Sequence, residues 1–177
     1  MKATVLPFLL LFTLLSIGSC KKRDVNPKDV LPAATMEGKN TFGAMVNDKV
    51  WLPKGRPSTF QPNLQLIYDP GYENGSFDIR AFRVDQNTST YELMNINITQ
   101  VNKAGIYDLG NRQLGRVYYE ASECVYEGNE GEVKGTLEIT KLDLQNDIIA
   151  GKFEFTIKSS DCKTISVTEG RFDKKIF

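Results

Sequence analysis

Short runs of alternating apolar and polar residues recur along the chain from residue 40 onward and predict β-strands. One strictly alternating run is 76–83, where Phe77, Ile79 and Ala81 fall on one face and Asp78, Arg80 and Phe82 on the other. A period of two residues places alternate side chains on opposite sides of a strand. By the same reasoning, further strands are predicted at 41–47, 50–52, 64–68, 91–98, 105–110, 115–121, 132–142, 149–158 and 165–172.

Most of these predicted strands are joined by turns, and no segment among them has sustained helical periodicity. The turn residues Asn47 and Asp48, for example, connect the first two strands. About nine or ten strands that follow one another in this way predict an all-β domain, mostly an antiparallel meander. We expect a curved sheet or a partly closed barrel, with a β-sandwich as the alternative.

The strand predicted at 91–98 has apolar residues on both faces. Met94, Ile96 and Ile98 share one face, whereas Tyr91 and Leu93 lie on the other. We interpret this change of face as a β-bulge near Met94, because a bulge shifts the side chains that follow it.

An apolar leader precedes the domain. Lys2 is followed by an apolar run up to Leu15, and residues 17–20 read Ile-Gly-Ser-Cys. A positive charge, a short apolar run and small residues form the secretory pattern. The last four residues resemble the bacterial lipoprotein signal, so we expect residues 1–19 to be removed and Cys20 to be acylated, for example with palmitate. A transmembrane anchor and an ordinary signal peptide are the alternatives.

Residues 20–39 are predicted to be a spacer, and residues 40–177 a single domain. The spacer contains Pro27, Pro32 and Gly38 without any periodicity, which is typical of an extended linker. The basic residues 21–23 follow Cys20 directly and would lie at the level of the lipid headgroups. The protein is therefore expected to contact the membrane through its lipid.

Composition excludes several functions. The chain has 22 basic and 22 acidic residues, so nothing in its charge predicts a nucleic-acid partner. It contains no histidine, which excludes serine–histidine and cysteine–histidine nucleophile pairs and zinc sites with histidine ligands. No cofactor is indicated, and an enzyme is the less favoured interpretation.

Cys124 and Cys162 are the only thiols besides Cys20. Secretion would place them in an oxidising compartment, so we predict a disulfide between them. In a plain meander, strand 132–142 would keep them about 9–10 Å apart, whereas bonded cysteines need Cα atoms about 4.4–6.8 Å apart. Either the segment after residue 158 curls over the sheet end, or the strand order is not sequential.

Two groups of residues are candidates for chemistry. Tyr118, Tyr119 and Tyr126 could form a binding platform, although adjacent residues on a strand face opposite sides, so at least one should be core. Trp51, beside a predicted hairpin, is expected in the core. The acidic residues could supply a glycosidase pair or a calcium site if they converge, but a solvated loop is favoured; they are Glu120, Glu123, Glu127, Glu130 and Glu132.

Several stretches resemble an uncharacterised family of lipoproteins from Bacteroidota, a domain of unknown function. They are 40–51, 135–143, 148–155, Cys162 and 170–173. The resemblance covers most of residues 40–173 and implies an all-β domain in a Gram-negative envelope, without a known activity or ligand. Surface-exported lipoproteins of that phylum often carry acidic residues after the lipidated cysteine. The basic residues 21–23 instead favour the periplasmic face, in the inner leaflet of the outer membrane, with surface display as the alternative.

These observations favour a non-enzymatic envelope lipoprotein whose β-domain binds a protein or glycan partner. A lipocalin-like carrier of a small apolar ligand is the second hypothesis and requires an interior cavity. A carboxylate-based hydrolase is the third, and it requires two carboxylates that face each other across a cleft.

Overall fold

The structure is a computed structural model that describes residues 30–121, 124–127 and 132–176. Eleven strands form in these ranges: β1 (Thr41–Val46), β2 (Lys49–Trp51), β3 (Leu64–Asp69), β4 (Ser76–Asp85), β5 (Thr90–Ile98), β6 (Gly105–Asp108), β7 (Gly115–Ala121), β8 (Cys124–Glu127), β9 (Glu132–Asp143), β10 (Ile148–Lys158) and β11 (Ile165–Lys175). The described residues contain no helix that could cross a membrane. The predicted leader, Cys20 and residues 21–29 lie outside these ranges, as do Glu123 and Glu130.

The strands form two antiparallel sheets, which confirms the all-β, antiparallel fold class. One has six strands in the order β2-β1-β11-β10-β9-β6, and the other has five in the order β3-β4-β5-β7-β8. The sheets do not close into a barrel, whereas both the predicted curved sheet and the β-sandwich alternative are consistent with the arrangement. Because the two sheets pack against each other, we describe the domain as a β-sandwich. Most neighbours are consecutive in sequence, as in a meander. The chain departs from it where β6 joins the six-stranded sheet and where β11 pairs with β1.

The core consists of the inward-facing residues of both sheets. Phe77, Ile79 and Ala81 of β4 are buried, as their alternation predicts. The rings of Phe77 and Phe172 lie 5.5 Å apart and join the five-stranded sheet to the six-stranded one. Burial of such side chains is the main favourable contribution to folding, at about 25 cal/mol per Å² of apolar surface.

Strand β5 has no bulge near Met94, so that interpretation was wrong. It pairs with both β4 and β7 in unbroken register. The buried residues Met94, Ile96 and Ile98 alternate regularly with the outward positions. The inward position before Met94 is occupied by an acid, Glu92. The apolar residues Tyr91 and Leu93 on the outward face therefore look like a change of face in the sequence.

The predicted disulfide between Cys124 and Cys162 forms, with Cα atoms 6.1 Å apart. Cys124 begins β8, at the edge of the five-stranded sheet, and Cys162 lies between β10 and β11. Because β8 and β9 belong to different sheets, β9 does not separate the two cysteines. The distance conflict expected for a single meander therefore does not arise, and the bond connects the two sheets.

Residues 30–39, which we call the N-terminal arm, lie against the domain, although the sequence assigned them to the spacer. The backbone amides of Glu37, Gly38 and Lys39 donate hydrogen bonds to the carboxylate of Asp173 on β11, at 3.0, 2.7 and 3.2 Å. The Thr35 hydroxyl donates a fourth, at 2.6 Å. Asp173 is only 1% exposed, and it supplies a reason for the arm to be ordered that no pattern in the arm itself indicates.

The arm also packs closely against β1, at a glycine of that strand. A Cβ atom on Gly43 of β1 would come within 2.8 Å of the Pro32 ring and within 3.2 Å of Leu31. The missing side chain lets the arm cross β1 at this point, because only glycine leaves the space free.

Candidate functional site

The outer face of the five-stranded sheet carries a polar row that crosses all five strands. The strand register places Gln65, Arg80, Asn95, Tyr118 and Glu127 side by side. Residues directly opposite each other in a sheet share a face, with Cβ atoms about 5 Å apart. With strands about 4.8 Å apart, the row is roughly 19 Å long.

A second row runs beside the first. It aligns Asp78, Asn97 and Arg116 on β4, β5 and β7. We call the two rows together the polar face; it consists of Gln65, Asp78, Arg80, Asn95, Asn97, Arg116, Tyr118 and Glu127. Its side chains point outward because the residues between them fill the core.

Part of the polar face is held in place by its own hydrogen bonds. Arg80 makes a two-pronged ion pair with Asp78, with nitrogen–oxygen distances of 2.6 and 3.2 Å. The Asn95 amide donates to the same carboxylate at 2.6 Å and to the carbonyl of Ile79 at 3.1 Å. These contacts fix three side chains before any ligand arrives, which lowers the entropic cost of binding.

Other side chains of the polar face retain free hydrogen-bonding groups. Among the described residues, Asn97, Arg116 and Glu127 have neither a hydrogen bond nor an ion pair through their side chains. Arg116 and Glu127 are exposed, and Asn97 is half-buried. An amide, a guanidinium and a carboxylate are thus available beside the fixed network.

Tyr118 supplies the aromatic ring of the polar face. Its hydroxyl donates a hydrogen bond to Glu120 at 2.7 Å. Burial, together with the Glu120 carboxylate, raises the pKa of Tyr118 to about 12. The phenol therefore stays protonated at neutral pH and keeps the carboxylate of Glu120 in place.

Two surface cavities meet at Tyr118. The first has a volume of about 500 Å³ and is lined by the polar face, including Asn97, Arg116 and Glu127. The second, about 410 Å³, adds Tyr91 and Leu93 to its polar lining. The two cavities share Arg80, Asn95 and Tyr118, so the Tyr118 ring lies where a polar subsite meets one with more apolar side chains.

A larger cavity, about 580 Å³, lies on the outer face of the six-stranded sheet. It is lined mainly by charged residues such as Glu138, Lys152 and Glu154, and its aromatic residue, Phe153, is only 3% exposed. We favour the polar face as the candidate site because it combines an aromatic ring with a fixed polar network and with free hydrogen-bonding groups.

Of the acidic residues predicted as candidates, the structure describes Glu120, Glu127 and Glu132, and these three do not gather at one site. Glu120 and Glu127 lie on the outer face of the five-stranded sheet, on either side of Tyr118. Glu132 is in the other sheet, where hydrogen bonds from Lys134 and Lys158 lower its pKa to about 2. In the part of the chain that the structure describes, no group of three or more potential ligands could hold a metal ion.

The three tyrosines of the predicted platform separate. Tyr119 and Tyr126 are buried in the core, with ring centres 6.0 Å apart. Only Tyr118 reaches the outer face, in accordance with the expectation that at least one is core. Trp51 is in the core as predicted, at 2% exposure.

A polar cluster inside the sandwich escaped the sequence analysis. The indole of Trp51 on β2 donates a hydrogen bond to Glu92 on β5, and the Tyr119 hydroxyl on β7 donates to the same oxygen at 3.4 Å. Burial and the Glu92 carboxylate raise the pKa of Tyr119 above its usual range. Because Trp51 is in the six-stranded sheet, this cluster joins the layers; its only sequence signal is an acid at an inward position.

The fold and the polar face define the class: a β-sandwich with a core of tightly packed side chains and a candidate ligand-binding face on one sheet. The chain belongs to the family described as domain of unknown function DUF6252, whose model matches residues 71–174. This range contains β4 to β10, most of β11 and both cysteines of the disulfide. It also includes every residue of the polar face except Gln65. No curated protein and no solved structure matches the chain.

Proposed function

We propose that the protein is a lipid-anchored envelope protein of Bacteroidota whose β-sandwich binds a protein or glycan partner through the polar face, without catalysis. The observation that carries this proposal is the juxtaposition of fixed and free groups. Arg80, Asp78 and Asn95 are locked together, whereas the neighbouring Asn97 and Arg116 have no polar partner among the described residues. Binding sites combine a cavity with a few polar groups held in fixed positions, and solubility alone does not require that combination.

Packing between the sheets favours this function over that of a lipocalin-like carrier. The largest inward side chains, among them Trp51, Phe77 and Phe155, are buried in one hydrophobic core. A carrier needs space beyond its own side chains, and the interior here is occupied by them. The cavities that we describe lie on the outer faces.

The acidic residues favour binding over hydrolysis. Glu120 is hydrogen-bonded to Tyr118, and Glu132 is ion-paired in the opposite sheet. A glycosidase needs two carboxylates on opposite sides of a cleft that holds the scissile bond. Glu120 and Glu127 share one open sheet face, with Tyr118 between them and hydrogen-bonded to Glu120, so they do not face each other across a cleft.

For the anchor, we propose cleavage after residue 19 and acylation of Cys20, which begins the spacer that leads to the N-terminal arm. The support is the Ile-Gly-Ser-Cys sequence at 17–20. Two or more acyl chains give stable membrane binding, which a single chain does not. The basic residues 21–23 favour the inner leaflet of the outer membrane, on the periplasmic side.

Metabolic labelling with an alkyne analogue of palmitate tests the anchor. Cells producing the full chain should yield labelled protein in the membrane fraction, and Cys20→Ser should abolish the label. An unlabelled protein that stays in the membrane would indicate a transmembrane anchor. An unlabelled soluble protein would indicate an ordinary signal peptide, and either result overturns the lipid anchor.

Photo-crosslinking in native envelopes tests the binding face. The double variant Asn97→Ala/Arg116→Ala should lose a crosslinked species that the native protein forms. The matched control, Lys152→Ala/Glu154→Ala, changes exposed residues of the other sheet and should retain it. Equal crosslinking by both variants would show that the polar face does not bind the partner.

A further inference from the structure

We infer that the polar face recognises a neutral oligosaccharide, with the ring of Tyr118 as its stacking surface; this inference rests on the proposed binding function. The ligand class follows from the charge, the hydrogen-bonding groups and the shape of the two cavities.

Charge selects against ionic ligands. The polar cavity is lined by two basic side chains, Arg80 and Arg116, and by two acidic ones, Asp78 and Glu127. Arg80 and Asp78 already neutralise each other through their ion pair. A phosphate attracted by Arg116 would be repelled by Glu127. A cation attracted by Glu127 would in turn be repelled by Arg116. A neutral ligand meets no such repulsion.

The free groups match hydroxyls. The Arg116 guanidinium donates hydrogen bonds, the Glu127 carboxylate accepts them, and the Asn97 amide does both. A hydroxyl donates and accepts at the same atom, so a ligand that carries several hydroxyls could satisfy all three groups. A sugar presents such hydroxyls on neighbouring carbons.

The lining favours a glycan over a protein partner. The centre of a protein interface is depleted in charged residues and enriched in several aromatic or Met side chains. The polar cavity instead has one ring, Tyr118, surrounded by amides and charges, and the second cavity adds one exposed ring, Tyr91. This combination orients a polar ligand through hydrogen bonds while the ring packs against its apolar surface.

The dimensions fit more than one sugar unit. The cavities, about 500 and 410 Å³, share Tyr118, and each lies within the range of roughly 300–1,000 Å³ typical of small-molecule sites. The polar row is roughly 19 Å long. An oligosaccharide that crosses the Tyr118 ring would reach Asn97 and Arg116 on one side and Leu93 on the other.

A glycan array tests this inference with the detergent-extracted full chain. Neutral oligosaccharides should bind, and acidic ones should bind less well. Arg116→Ala, at an exposed position, should weaken binding to the selected neutral glycan roughly tenfold. Tyr118→Phe keeps the ring and should bind within about threefold of the native protein, whereas Tyr118→Ala should lose tenfold or more.

The control Lys152→Ala should leave glycan affinity unchanged, and circular dichroism should show that each variant is folded. If Tyr118→Ala alters the fold, the Arg116→Ala result decides. The inference is overturned if no neutral glycan binds, if acidic glycans bind better, or if Arg116→Ala has native affinity. Crosslinking that depends on the polar face, without glycan binding, would retain the proposed function with a protein partner; crosslinking that is independent of the face would overturn both.

Discussion

At the scale of single residues, Asp173 is the most strongly bonded carboxylate described here. It is buried and accepts four hydrogen bonds, three of them from backbone amides. Burial acts to raise the pKa of Asp173, but these hydrogen bonds outweigh it and hold the pKa below its usual value. The buried charge is thus stabilised by three peptide N–H groups and one hydroxyl, and no basic side chain of residues 30–121, 124–127 or 132–176 pairs with it.

We expect Asp173→Asn to lower the free energy of unfolding by roughly 2–4 kcal/mol, because hydrogen bonds to a charged acceptor contribute about 1.5–3 kcal/mol each. The introduced amide also directs N–H groups toward the N–H groups of the arm. Urea denaturation followed by circular dichroism measures the change. Asp161→Asn, at an exposed carboxylate, should change stability little; equal effects of the two substitutions would contradict the role assigned to Asp173.

The lowered pKa of Asp173 also predicts a pH dependence. The unfolded carboxyl titrates at about pH 3.9, so below that value the unfolded chain binds more protons than the native one. Stability therefore rises with pH in this window. The stabilisation by Asp173 should be complete above about pH 5 and lost as the pH falls toward its native pKa.

Comparison of native protein and Asp173→Asn between about pH 2.5 and 6 isolates this effect, since other titrating groups are common to both. The difference in unfolding free energy should shrink on acidification. A difference that stays constant or grows as the pH falls would argue against it.

The inner cluster at Trp51 and Glu92 predicts an energetic coupling between layers. Trp51→Phe removes the indole donor, and Glu92→Ala removes the acceptor. Their double-mutant cycle should give a coupling of about 1–3 kcal/mol. Trp51→Phe paired with Glu154→Ala, on the outer face, should be additive, and additivity at Trp51 and Glu92 would mean that the hydrogen bond adds no stability.

At the scale of elements, strands were predictable wherever one face is apolar throughout. The alternation of Phe77, Ile79 and Ala81 identifies β4 and its inward face, and β9 and β10 follow the same rule. Pairing partners were less predictable. Strand β11 pairs with β1, and β6 pairs with β9 in the six-stranded sheet. Both pairings join residues far apart in sequence, and local alternation carries no information about them.

The candidate site was only partly predictable for the same reason. Tyr118, Glu120 and Glu127 stand out by residue type, and the structure brings them to one face. Asn97 and Arg116 look like ordinary solvated positions on separate strands. Only the register of β4, β5, β7 and β8 places them beside Tyr118.

At the scale of the whole molecule, the disulfide closes a loop with a sequence separation of 38 residues. Restriction of the unfolded chain by such a loop stabilises the fold by about 4 kcal/mol on the chain-entropy model. We expect Cys124→Ser/Cys162→Ser to lose a large part of this stability in urea denaturation. Reduction of the native protein should lower its stability similarly and leave the double variant unaffected; a native protein insensitive to reduction would count against this contribution.

The same bond has a mechanical consequence. The N-terminal arm attaches to the six-stranded sheet through Asp173, whereas the polar face belongs to the five-stranded sheet. In an anchored protein that holds its ligand on the polar face, tension between ligand and membrane must pass from one layer to the other. Packed side chains resist such shear through many individually small contacts, and the chain segments between the sheets join them covalently. The bond between Cys124 and Cys162 adds a short covalent connection beside these segments, and it would limit sliding of the tethered layer against the loaded one.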